Sequence, residues 1–346
     1  MKTITFFNNK GGVGKTTTIV NLAGYLVKKK GEKVLVLDLD PQSNSTQAVL
    51  PEDKWNEFYG KDANRKSIYS YFNKIEEGDS EFLKFDVPVN PSENNYGISL
   101  IPGHPKMSII DDAMGKSWNE LKGASKGAFR IQNWLNQLIN QVQDKFDYMF
   151  IDVGPSLGSL NRSALLNSDY FVTPMASDVF SLLGISNIGE WISSWQKIYQ
   201  VALTSFEASN QDNVQHFYEA NYINCDLSKT TKYIGYSIQQ YSKRKFKDGD
   251  RPTQAYESVI KEFHSEIVKT LSTLAKYGID EDNLKLGDIP YVYSIIPLSQ
   301  TSKTPIFELT YASGLRGNQT SSVEDYNKYI NMLAVNFLRN VGDVNE

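Results

Sequence analysis

The residues best equipped for chemistry lie near the N-terminus, in the run Asn9-Lys10-Gly11-Gly12-Val13-Gly14-Lys15-Thr16-Thr17. A triphosphate carries several negative charges. Backbone N–H groups at a helix start can meet them only where the chain comes very close. Gly11, Gly12 and Gly14 permit that approach and the backbone angles it needs. Lys15 is placed to reach the β- and γ-phosphates, Thr16 to offer its hydroxyl to Mg²⁺, and Thr17 to bond the α-phosphate. The strict pattern G-x-x-x-x-G-K-[ST] is not met, because Asn9 stands at its first glycine and Lys10 adds a second cation.

Three carboxylates on two segments complement this loop. Leu37-Asp38-Leu39-Asp40-Pro41-Gln42 ends one apolar run, and Tyr148-Met149-Phe150-Ile151-Asp152 ends another. Strand-terminal acids of this kind emerge at the carboxyl edge of a parallel sheet, where such folds bind ligands. Phosphoryl transfer requires little covalent chemistry of the protein, so water positioning and charge neutralisation are what these groups have left to do.

The elements needed to position them are legible as alternating strands and helices, the pattern of a mostly parallel sheet flanked by helices on both faces. Short apolar strands are expected at 4–7, 34–37, 98–100, 148–151, 170–172, 233–238 and 291–296, with a helix over 16–29 stopped by Gly31. Two polar excursions interrupt the frame, at about 51–96 and 206–232. A helical turn is expected at 67–72 inside the first, and a helical segment at about 305–341 ends the chain. The expected organisation is a single domain over residues 1–346.

With Lys10 inside Lys-Gly-Gly-Val-Gly-Lys-Thr-Thr, the loop is a deviant Walker A motif, and the chain resembles the ParA/MinD ATPases. The likeness is closest to the short ParA-type DNA partition ATPases. It continues through Pro155-Ser156-Leu157-Gly158, Asp169 to Gly184, Pro305 to Leu309 and Gly314 to Gly317. The resemblance implies that ATP and Mg²⁺ are the cofactors and that a homodimer closes around ATP. Lys10 would cross to the partner's phosphates, and Asp40 would orient the attacking water. Lys10, Lys15 and Asp40 are thus the expected catalytic residues, and Asp152, whose strand resembles a Walker B element, and Asp38 join Thr16 as the expected metal residues. Gln239, where an asparagine is usual, and Pro290 correspond to segments the family uses near adenine. Gly154 replaces a proline frequent in the family. The function implied is slow, partner-stimulated ATP hydrolysis that drives plasmid or chromosome partition, with non-specific double-stranded DNA and a ParB-like centromere-binding protein as partners.

The formal charge of −4 argues against a whole surface that coats nucleic acid, but not against a local patch. The basic run Lys243-Arg244-Lys245-Phe246-Lys247, with Arg251, is the expected DNA contact, and Lys328 and Arg339 are secondary candidates. One cysteine, Cys225, excludes a cysteine-built metal cage, and His104, His216 and His264 have no metal spacing. No leader or membrane-length apolar run is visible, so the expectation is a cytoplasmic protein, nucleoid-associated when ATP-bound, with no membrane partner. Two alternatives stand beside it. One is a MinD-like positioning ATPase that uses the amphipathic stretch 326–338 on a membrane or protein cargo. The other is a nucleotide-gated scaffold with negligible turnover.

Overall fold

The computed structural model describes residues 1–343 except 62, 242, 247, 248, 253, 291 and 293. It describes their side chains except at 179, 180, 182, 183, 240–261 and 290. The first half of the chain contributes β1 (Lys2–Phe6), α1 (Lys15–Tyr25), β2 (Val34–Asp38), α2 (Asn44–Val49), α3 (Glu52–Tyr59), α4 (Ile68–Tyr71), α5 (Asn73–Glu76), β3 (Ser99–Ile101), α6 (Met107–Leu121), α7 (Lys126–Gln132), α8 (Trp134–Val142) and β4 (Tyr148–Asp152). The second half adds α9 (Ser159–Asn167), β5 (Tyr170–Ala176), α10 (Val179–Ser209), α11 (Val214–Ala220), β6 (Lys232–Tyr241), β7 (Lys243–Phe246), β8 (Gly249–Pro252), α12 (Gln254–Leu271), β9 (Lys285–Pro290), α13 (Ile296–Ser302) and α14 (Gln319–Val341).

Seven strands form one sheet in the order β3-β2-β4-β1-β5-β6-β9, and every pairing in it is parallel. Strands in such a sheet are buried on both faces, which is why β2 and β4 are continuous apolar runs without exposed positions. Alternate residues then serve opposite layers. Leu35, Leu37, Met149 and Ile151 join the core beneath α6 to α10 and α12. Val34, Val36, Tyr148 and Phe150 join the core beneath α1 and α14.

The register sets the site. Phe6 of β1 pairs with Asp152 of β4, and Asp38 of β2 pairs with the same Asp152. The loop after β1 and the acids ending β2 and β4 therefore leave the sheet side by side.

Three sequence expectations change. The last strand is β9 at Lys285–Pro290, whereas residues 294 and 295 form a turn and α13 starts at Ile296. Residues 291 and 293 of the expected 291–296 strand lie outside the described residues. Helix α1 gives way to a wide π turn over Leu26–Lys30 before Gly31 reverses the chain at φ 78°. The polar stretch 206–232 is entered by α10, which continues to Ser209, and it also holds α11. The helical turn expected at 67–72 is α4.

Helix α14 buries Val323, Tyr326, Ile330, Leu333, Ala334, Phe337 and Leu338 and packs on β9, β6 and α1. Val335, expected on the apolar face, is exposed instead. Among the described residues, no helix is long and apolar enough to cross a membrane.

Candidate nucleotide and metal site

The loop between β1 and α1 is shaped by backbone angles that only glycine adopts cheaply. Gly12 has φ 73° and Gly14 φ 76°, both left-handed. Asn8 holds the loop from below: its amide donates to Pro174 O at 2.8 Å, and its Oδ1 accepts from Lys10 N at 2.9 Å. Lys15 is buried with its Nζ 3.1 Å from Asn8 O. Burial lowers its pKa, and the nearby Asp152 and Asp40 charges oppose that shift.

The carboxylates are arranged in two tiers. Asp152 Oδ2 accepts from Thr16 Oγ1 at 2.8 Å and from Ser45 Oγ at 2.7 Å, while its Oδ1 is buried without a partner. Asp38 Oδ2 accepts from Thr46 N at 2.8 Å and Thr46 Oγ1 at 2.7 Å, and its Oδ1 is likewise buried and unpartnered. Burial raises both acids, Asp152 to about 6 and Asp38 well above its usual range, and the Asp152 charge raises Asp38 further.

Two adjacent acids with orphaned oxygens and a neighbouring hydroxyl form an all-oxygen donor set that suits a hard divalent cation. Among the described residues, no group of three or more His, Cys, Asp or Glu side chains converges as a cage. The donor set fits Mg²⁺, which keeps waters and substrate phosphates as ligands and needs only one or two carboxylates.

Asp40 stands above this pair. Gln42 N donates to its Oδ1 at 2.9 Å and Asn44 Nδ2 to its Oδ2 at 3.3 Å. A side chain at Gly154 would bring its Cβ within 3.3 Å of Asp40 Oδ1, so glycine there leaves this acid room. Lys10 Nζ forms an ion pair with Asp178 Oδ2. The Oδ1 of Asp178 in turn accepts from Ser181 N at 3.1 Å and caps α10.

A cavity of about 620 Å³ extends from this loop. Gly11 to Thr17 and Asp40 line one end. Residues of α2 and α3, including Gln47 and Trp55, face Ile296, Ser299, Gln300 and Lys303 at the other. Gln239 lies apart from that far wall. It is buried under Gly14, with its Nε2 donating to Thr18 Oγ1 at 2.8 Å and to Ser237 Oγ at 3.0 Å. Pro290 ends β9, and its side chain is outside the described set.

The basic run forms an antiparallel hairpin, in which Lys243 pairs with Pro252, Arg244 with Arg251 and Lys245 with Asp250. Lys247 and the side chains of this run lie outside the described residues.

Sequence reading missed Ser45, Thr46, Asp178, Trp55 and Lys303. Only the hydroxyl-rich Ser43-Asn44-Ser45-Thr46 following Asp40 carried a local signal.

A family model described as an AAA domain matches residues 1–205. The virulence-plasmid ParA family protein of Chlamydia psittaci is 30% identical over 194 residues, which cover 56% of this chain and 64% of that protein. The match therefore spans just under two thirds of that relative's length. The sporulation initiation inhibitor protein Soj of Bacillus subtilis is 28% identical over 223 residues, 62% of this chain and 76% of that one. A crystal structure of a Corynebacterium diphtheriae protein superposes with a TM-score of 0.76 at 29% identity, covering 99% of both chains.

Proposed function

The chain belongs to this AAA-domain family as a P-loop ATPase of the ParA/MinD kind, and from that premise we propose that it is a Mg²⁺-dependent ATPase that closes as a dimer around ATP and moves DNA. In this reading the closed dimer binds double-stranded DNA without sequence preference, and a centromere-binding partner stimulates slow hydrolysis and release. Residues 1–346 act as one domain.

The observation that carries the reading is the convergence of Lys15, Thr16, Asp40 and Asp152 at one edge of the sheet. The glycine loop and the start of α1 hold the phosphates, and Lys15 neutralises the charge that builds on the γ-phosphate. Thr16 and Asp152, with Asp38 behind them, would hold Mg²⁺. The metal, when bound, spreads charge over the phosphate oxygens. Asp40 orients the attacking water. Lys10 leaves Asp178 and reaches the nucleotide of the partner protomer. Because each protomer lends a cation to the other, ATP favours the dimer, and through it the DNA-binding state. The hairpin at 243–252 supplies phosphate contacts without base preference.

Binding to random-sequence duplex at low salt, with and without ATP, tests the reading. ATP-dependent retention supports it, and a dimer that ignores DNA removes the DNA half. The burial of the α14 apolar face against its own domain favours DNA over a membrane as the platform.

A further inference from the structure

The excursion at 51–96 has no part in the chemistry above, yet it takes hold of one end of the sheet. Strand β3 lies at the sheet edge, paired on one side with β2. Backbone groups on an edge strand and at its exit need partners from elsewhere, and the excursion supplies them. Val89 bridges Leu100 in antiparallel fashion, Ile68 N donates to Pro102 O at 2.9 Å, and the Tyr59 hydroxyl donates to Gly103 O at 2.9 Å. Tyr59 is held in turn. Its ring meets that of His104 at 5.5 Å and 60°, and His104 stacks on Tyr69 at 4.9 Å. Arg65 bonds Glu57 at 2.9 Å and Glu93 at 2.7 Å and lies over the Phe58 ring, which anchors the helix that Tyr59 ends.

Gly103 is where these contacts reach the site. Its N donates to Thr46 Oγ1 at 2.9 Å. A hydroxyl that accepts from an N–H keeps its single proton for another acceptor, and Thr46 Oγ1 gives that proton to Asp38 Oδ2 at 2.7 Å. Thr46 N adds a second bond to the same oxygen at 2.8 Å. One oxygen of Asp38 is thereby fixed, and the other is left buried and unpartnered. Gly103 also presses on this acid, since a Cβ there would lie 2.9 Å from Asp38 Cγ and 3.1 Å from its Oδ1. A small displacement of Gly103 would move the donor and the wall together. Burial and the Asp38 charge push the Tyr59 hydroxyl up to about 12, so it keeps its proton and donates at neutral pH.

We propose that Tyr59 is a positioning residue for Asp38: it pins Gly103, Gly103 aims the Thr46 hydroxyl, and Thr46 turns the free oxygen of the acid toward the divalent-cation site. The inference rests on the nucleotide and metal reading of that site. A carboxylate serves a cation only in one orientation, and the groups that set the orientation matter through the ligand rather than by touching the metal. Tyr59 acts at one remove more, through Gly103 and Thr46. Tyr69, in the same aromatic stack, has its hydroxyl on Glu76 instead. The excursion thus gains a role that its polar sequence does not disclose. It braces the sheet edge so that an acid behind the phosphate loop keeps one orientation.

The test is binding of a non-hydrolysable ATP analogue to the full chain by titration calorimetry, with Mn²⁺ and again without metal in EDTA. Partners that orient a metal ligand contribute roughly 10- to 100-fold to affinity, and a residue one step further out contributes less. Tyr59→Phe keeps the ring and removes the hydroxyl. It is expected to weaken the Mn²⁺ complex about fivefold and to leave metal-free binding within about twofold of the parent. Tyr69→Phe is expected to change neither. Thr46→Val is expected to weaken the Mn²⁺ complex about 20-fold, and adding Tyr59→Phe to it to cost nothing further, because the effect runs through the Thr46 hydroxyl. Unchanged Mn²⁺-dependent affinity in Tyr59→Phe overturns the proposal, as does an equal loss with and without metal, which would make Tyr59 a support of the fold alone. A full additional loss on the Thr46→Val background overturns the route through Thr46. A parent protein that binds the analogue equally well with and without Mn²⁺ overturns the metal reading, and one that binds in neither condition overturns the nucleotide reading; the role of Tyr59 falls with either.

Discussion

Replacing Asp178 with asparagine separates two roles that one side chain combines. Its Oδ2 pairs with Lys10, and its Oδ1 caps α10 through Ser181 N. Asparagine caps a helix about as well as aspartate, so Asp178→Asn keeps the helix start and removes the charge that holds Lys10. Both side chains are 35% exposed, which limits the pair to the strength of a surface ion pair, roughly 0.2–1 kcal/mol. In the proposed closed dimer two such pairs break, one in each protomer. Removing them should therefore favour dimerisation by about 0.4–2 kcal/mol, a roughly 2- to 30-fold lower dimer dissociation constant. Sedimentation equilibrium with ATP and Mg²⁺ on a background of Asp40→Ala, which is expected to block hydrolysis, reads this directly. The Tm should stay within a few degrees of the parent. A dimer that is no tighter, or is weaker, in a variant with an intact melting transition would show that Asp178 does not restrain Lys10.

Other predictions address the acids and the basic hairpin. Asp152 is raised to about 6 by burial, and Asp38 is raised as well. The folded nucleotide-free state thus binds more protons than the unfolded chain between about pH 4 and 6, and its stability falls as pH rises through that window. Asp152→Asn should remove the cost of the buried charge, raise the stability of the nucleotide-free protein at pH 7 by roughly 1–3 kcal/mol, and abolish the thermal shift given by Mg²⁺ with ATP. A lower nucleotide-free Tm in that variant would refute the sign. Asp40→Ala should reduce turnover at least about 100-fold while ATP still binds; wild-type turnover in single-turnover assays would remove Asp40 from the mechanism. Replacing Lys243, Arg244 and Lys245 with alanine should weaken all duplex sequences alike and lower the salt slope of binding by about 0.9 for each phosphate no longer neutralised. An unchanged slope places the DNA surface elsewhere.

The parts of this protein that could be read directly are those where one physical requirement acts on consecutive residues. The glycine loop is such a case, because close approach to phosphate needs Gly12 and Gly14 at positive φ. Strands β2 and β4 are another, since burial on both faces demands unbroken apolar runs. Strand β9 failed the same reading. It lies at the sheet edge with Gly287 against Leu333 of α14, and Lys285 and Asp288 form an ion pair 2.7 Å long. Its sequence is therefore mixed, whereas Ser294 and Ile295 of the more strand-like run 291–296 form a turn that leads into α13 at Ile296. Contacts between distant segments left no trace at all. Lys10 and Asp178 are 168 positions apart, and Lys303 meets Gln47 across 256. Nothing in the local sequence of Trp55 announces a cavity wall, because the cavity exists only once α3 and α13 face each other.

In the proposed dimer each catalytic centre draws Asp40 from one protomer and Lys10 from the other. Mixing Lys10→Ala with Asp40→Ala before ATP is added tests it most directly, because half of the dimers formed by random exchange are mixed and each mixed dimer has one complete centre. ATP hydrolysis by the mixture should recover to about a quarter of the parent rate, although neither variant turns over alone. A mixture as inactive as its components, despite demonstrated subunit exchange, would contradict the shared site.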